Sequence, residues 1–138
     1  MARLLHAVPL PLIAALILGA AMPAGAAEHR SPATDAEIEY LLARVTDSGY
    51  VFIRNGDEHD GAEAASHMRR KFEHFDDEIE TAEEFIENSA TRSLLTRRAY
   101  EVRFPDGTQT ETAAWLLGEL AAYRDERDGA AAATPTDR

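Results

Sequence analysis

The stretch from Tyr50 to Ile86, YVFIRNGDEHDGAEAASHMRRKFEHFDDEIETAEEFI, constrains the fold more than any other part of the chain. Tyr50-Val51-Phe52-Ile53 joins aromatic and β-branched residues, which predicts a short buried strand. Asn55-Gly56 can adopt the left-handed backbone that a tight turn needs. The residues after it, Asp57-Glu58-His59-Asp60, make a poor strand. The expectation is therefore a strand that turns directly into a helix rather than a hairpin. Asp60 can cap that helix with Glu63 reaching back as a capping box. Ala62, Ala65, Met68, Phe72 and Phe75 then form its apolar stripe. At about 100° per residue, Lys71 lies about 60° and His67 about 100° from Met68, so both sit at the margin of the core face.

The flanking segments predict the rest of a mainly helical, α+β domain with four helices and two short strands. Thr34 or Asp35 can start a first helix whose Ile38, Leu41, Leu42 and Val45 share one face, with Gly49 as its stop. Acidic residues 76–80 should end or bend the second helix. Thr81 and Glu84 form a second capping box before Phe85 and Ile86. Residues 88–98 read as irregular, with Leu94-Leu95 as an anchor. Tyr100, Val102 and Phe104 alternate with Glu101 and Arg103 as a half-buried strand. Pro105-Asp106-Gly107 is a turn. Thr110 or Thr112 should cap a last helix that buries Ala113, Leu116, Leu117 and Leu120, with Trp115 at the edge. The strands near 50–54 and 100–104 are expected to pair, because either alone would leave open edges.

At the N-terminus, Arg3 precedes the apolar LLHAVPLPLIAALILGAA and then MPAGAAEHR. That order of basic, apolar and small residues predicts a secretory signal peptide over 1–26, cut after Ala26. An uncleaved anchor fits less well, because Pro9 and Pro11 interrupt the run. The expected domains are thus a signal peptide (1–26), a polar entry (27–33), one globular domain (34–124) and a disordered tail (125–138), in a periplasmic or secreted protein. Loss of Arg3 with the leader takes the formal net charge from −11 to −12. Nucleic acid and anionic membrane surfaces are disfavoured as partners by that charge, since both recruit Lys and Arg. No later apolar run is long enough for stable membrane insertion. A cationic partner or a small anionic ligand stays open. The chain has no cysteine, so no disulfide supplements the core.

Chemistry concentrates in Arg54, Asn55, His59, Glu63, His67 and Lys71. Glu63, His67 and Lys71 are four apart and line one side of a helix. The preceding turn can bring Arg54 and Asn55 to that helix, giving donors for a carboxylate or phosphate group. A structural Glu–His–Lys ladder is the competing interpretation. Lys71 is the one lysine in a chain with 13 arginines, which suggests a position where Lys is required. His67 with Glu63 would make an acid–base pair for a small periplasmic enzyme. His59, Glu63 and His67 would make a metal site. No nucleophile elbow, catalytic thiol or paired-histidine zinc motif is present, and no cofactor is indicated. An exported non-enzymatic binding or accessory protein is the first expectation.

The residues also carry a family resemblance. Phe52, Arg54, Asn55, Gly56 and His59, then Glu63, Ala64, His67 and Lys71, then Thr81, Ala82, Glu83, Phe85 and Ile86 form a series that resembles the YfeK-like family of small exported proteobacterial proteins. The strand with Tyr100, Asp106-Gly107 and the Trp115-Leu116 helix follow in the same order. The resemblance implies export and one shared domain, and supplies no activity. Some members of that family have a cysteine ahead of Glu63; this chain has none, so no thiol role carries over.

Overall fold

The computed structural model describes residues 30–133, so the expected leader and the last five residues lie outside the described residues. The chain runs α1 (Pro32–Asp47), β1 (Val51–Arg54), β2 (Asp57–His59), α2 (Gly61–His74), α3 (Ala82–Phe85), β3 (Glu101–Arg103), β4 (Gln109–Glu111) and α4 (Thr112–Ala132). A 3₁₀ turn over Asp76–Glu78 follows α2, and a π-helical turn over Ile86–Ala90 extends α3. The predicted α+β class and its four helices are present.

Among the described residues, four strands replace the two expected. Their order is β2-β1-β3-β4 and every pairing is antiparallel. β1 pairs with β3 as expected, with Phe52 opposite Val102. The Asp57–His59 segment does form a hairpin with β1, because Asn55 (φ 55°) and Gly56 (φ 92°) both take left-handed backbone at the turn. That geometry outweighs the poor strand propensity of three polar residues. β4 arises likewise from the Pro105–Gly107 turn.

Helices α2 and α4 pack on the sheet, and α1 packs on α2, α3 and α4. Phe52 and Val102 supply the sheet side of the core. Ile38, Leu41, Val45, Met68, Ile79, Phe85, Ile86, Leu116 and Leu120 complete it from the helices and the loop after α2. Phe85 is fully buried and meets Phe72 edge to face at 5.5 Å. Burying a Phe side chain contributes about 2–3 kcal/mol.

Both predicted capping boxes form, Asp60 with Glu63 and Thr81 with Glu84. The other helix starts differ. Ser31 caps α1, accepting from the Thr34 amide, and Pro32 occupies the first turn, where its missing N–H costs nothing. Glu111, without a side-chain cap bond, precedes α4, whose Thr112 is already helical and buried. The buried side of α2 comprises Ala64, Ala65, Met68 and Lys71, while Ala62 is exposed.

Three further expectations are corrected. Leu94 and Leu95 are 54% and 94% exposed and anchor nothing, and Leu117 is 47% exposed. The segment after Arg124 continues α4 to Ala132 instead of starting a disordered tail. Arg124 and Arg127 on that helix both bond the buried Glu37 carboxylate, and ion pairs substitute there for apolar anchors. Arg30 belongs to the domain too. Its guanidinium donates to Asp76 O, Ile79 O and Asp76 Oδ1, and lies 4.7 Å from the centre of the Phe72 ring.

Candidate functional site

The site forms where α2 crosses the sheet. The capping box fixes the start of α2, so one side of its middle turns faces β1 and the residue preceding β3. A pocket of about 510 Å³ opens there, with Phe52, Ile53, Ala64 and Met68 as apolar wall and Arg54, His59, Ser66, His67, Arg70 and Tyr100 as polar wall.

His67 lies at its centre. Arg54 Nη1 is 2.5 Å from His67 Nδ1, and His67 Nε2 is 3.1 Å from the Tyr100 hydroxyl. A guanidinium only donates, so Nδ1 is the acceptor and the imidazole proton resides on Nε2. His67 therefore donates to the Tyr100 oxygen. Among the described residues no acceptor takes the Tyr100 hydroxyl hydrogen, which stays available to the pocket. Burial is the largest cause that lowers the His67 pKa to about 4, followed by the positive charges of Arg54, Lys71 and Arg70. The histidine is neutral at neutral pH.

Lys71 lies behind this wall, 7% exposed. Its ammonium donates to Arg92 O at 3.0 Å and lies 5.3 Å from the Tyr100 ring centre. Burial holds its pKa below the usual lysine range. Neither Arg54 nor Lys71 forms an ion pair among the described residues, in a chain with 25 acidic residues. Two side-chain atoms of the pocket wall, His59 Nε2 and Thr112 Oγ1, are buried without a hydrogen-bond partner. Such atoms cost about 1–3 kcal/mol each and mark unused polar capacity.

Of the six residues singled out in the sequence, Arg54, His59, Glu63 and His67 line the pocket, and Lys71 backs it. Asn55 points elsewhere, accepting from the Thr96 hydroxyl at 2.5 Å to tie the hairpin to a neighbouring loop. Glu63 is not the partner of His67. Its carboxylate meets the Asp60 amide at 3.4 Å and His59 Nδ1 at 3.5 Å, serving the helix cap. The expected acid–base pair is therefore not assembled. The metal reading is also corrected: among the described residues, no group of three His, Cys, Asp or Glu side chains is placed to hold a metal ion. His67 turns both ring nitrogens to Arg54 and Tyr100, away from His59 and Glu63. Tyr100 and Thr112 were missed as site residues. The alternation of the 100–104 segment marks Tyr100 as core, and nothing in the sequence shows its hydroxyl meeting His67 on α2.

The fold and site thus define a small α+β domain with a pocket between one helix and an antiparallel sheet, positively charged on one wall. The chain belongs to the family of unknown function DUF5329, whose model matches residues 32–124. It is also 45% identical over 49 residues to "Uncharacterized protein YfeK" of Salmonella typhimurium, a stretch that covers 36% of this chain and 41% of that relative. The YfeK-like resemblance read from the motifs agrees with both. No solved structure matches the chain.

Proposed function

We propose that this is an exported, non-enzymatic binding or accessory protein whose contact site is the pocket between α2 and the sheet. The ligand is a small molecule with a carboxylate or phosphate group and an apolar portion. The observation that carries this reading is a pair of cations at the pocket, half-buried Arg54 on its wall and buried Lys71 behind it, with no carboxylate partner among the described residues. An unpaired buried charge is costly, and an anionic ligand offsets the cost. The Tyr100 hydroxyl adds a donor, and Phe52, Ile53 and Met68 accept the apolar portion.

Export rests on the leader pattern of residues 1–26, and its test is the N-terminal sequence of protein recovered from the periplasm, expected to begin at Ala27. For binding, the test is a thermal-shift comparison of residues 27–138 with inorganic phosphate and with octanoate. A rise in Tm that disappears in Arg54→Gln supports the site. No shift with either anion, or an equal shift in the variant, contradicts it.

A further inference from the structure

A different part of the surface joins basic and apolar side chains on one loop. Residues 88–100 contain Arg92, Arg97 and Arg98 and no acidic residue, in a chain whose formal net charge is −11. This segment leaves the core after the π-helical turn and returns as β3. An isolated antiparallel bridge between Arg92 and Ala99 closes its base. Ser93 N donates to Arg98 O at 3.0 Å, Arg97 N to Ser93 O at 3.0 Å, and Tyr100 N to Thr91 O at 2.9 Å. Thr96 fastens the loop to Asn55, and the Lys71 ammonium holds Arg92 O. Arg97 keeps φ at +62°, an uncommon backbone for a non-glycine residue.

The result is a braced loop that holds Leu94 and Leu95 out at its tip, 54% and 94% exposed. Arg92 has a distant carboxylate, Glu87 at 3.8 Å; Arg97 and Arg98 have none among the described residues. Water is a poor partner for two adjacent leucines, and a fold that braces them outward exposes apolar area it could have buried.

From this placement we infer that the Arg92–Arg98 loop docks the protein on an anionic lipid surface, with Leu94 and Leu95 entering the headgroup–acyl boundary and the arginines meeting lipid phosphates. Two leucines are too small a patch for the core of a protein interface, which needs about 800 Å² on each partner. They suit a shallow wedge into lipid, where cations beside an apolar tip add to apolar insertion. The net negative charge that argues against such a surface is an average over the whole molecule. At physiological ionic strength, charges beyond about 8 Å are largely screened, so the local loop dominates. This docking does not depend on the pocket being occupied.

Vesicle co-sedimentation of residues 27–138 tests the inference; the leader is omitted because it would enter vesicles by itself. The protein is expected to pellet with phosphatidylglycerol-containing vesicles at physiological ionic strength, to be released by molar salt, and to ignore pure phosphatidylcholine. Leu94→Ser with Leu95→Ser, and separately Arg97→Gln with Arg98→Gln, should each lower partitioning about tenfold or more. Arg54→Gln in the pocket should leave it unchanged. Because the chain has no cysteine, Leu95→Cys offers one labelling site, and an environment-sensitive fluorophore there should shift to the blue on anionic vesicles. Wild-type protein that stays in the supernatant, equal binding to both lipids, undiminished binding of either loop variant, or an unshifted label would each overturn the inference.

Discussion

His67 accepts from Arg54 through Nδ1 and donates to Tyr100 through Nε2, so one imidazole bridges the first strand and the residue ahead of the third. The bridge works only with a neutral ring, and burial beside three cations keeps it neutral down to about pH 4.

That arrangement sets a pH dependence of stability. In the unfolded chain His67 takes a proton near its ordinary value of 6.5, whereas in the folded chain it resists until about 4. Between those values the unfolded state binds more protons, so stability falls as pH drops through the window and is fully present above it. Allowing for partial solvent access, the loss should be about 1–2 kcal/mol. Urea unfolding at pH 7 and pH 5 should show it, and His67→Gln should flatten that part of the curve. The Glu37 carboxylate, held below its ordinary 4.5 chiefly by its hydrogen bond from Arg124, loses its contribution only at lower pH.

Lys71→Met separates charge from shape. The ammonium has no carboxylate partner among the described residues, and its burial disfavours the charged form. Methionine fills the same space, so stability should change by no more than about 1 kcal/mol, with the lost bond to Arg92 O offsetting the relief of desolvation. A large fall in the denaturation midpoint would show that the bond to Arg92 O outweighs the desolvation that the substitution relieves.

Gly61 lies where α2 starts against the backbone at the end of α1. A Cβ there would fall 2.8 Å from Thr46 O and still closer to Val45 O, both rigid backbone atoms at the end of α1. Gly61→Ala should force α1 and α2 apart and cost about 3 kcal/mol or more, read as a drop in Tm.

Glu37→Ala removes the carboxylate that Arg124 and Arg127 share. Its side chain is 7% exposed while Arg124 is 36% exposed, so the freed guanidinium can still reach water and Glu83. The expected loss is about 2 kcal/mol, below the range for a fully buried pair. Deleting residues 128–138, which retains both arginines, should leave Tm nearly unchanged.

Much of this molecule is legible in its sequence because local signals agree with the global packing. The α1 stripe, both capping boxes and the placing of His67 and Lys71 on one side of α2 follow from periodicity and spacing, and the pairing of β1 with β3 follows from the open edges that either strand alone would leave. The failures have physical causes. β2 forms because the turn before it imposes a register that three polar residues would not choose alone. Leu94 and Leu95 look like anchors because hydrophobicity does not reveal which way a braced loop faces. Tyr100 joins the site through a contact 33 residues away in sequence, which no local pattern encodes. Glu63, read as the partner of His67 from its spacing, is occupied by the helix cap.

An anionic ligand in the pocket beside Arg54 and Lys71 would be felt first at the His67 ring. The most direct test is imidazole NMR of residues 27–138 at neutral pH during titration with octanoate and with inorganic phosphate. The expected result is a His67 ring protonated at Nε2, with resonances that move saturably as one of these anions binds and stay fixed in Arg54→Gln. A ring protonated at Nδ1, or His67 signals indifferent to both anions, would contradict it.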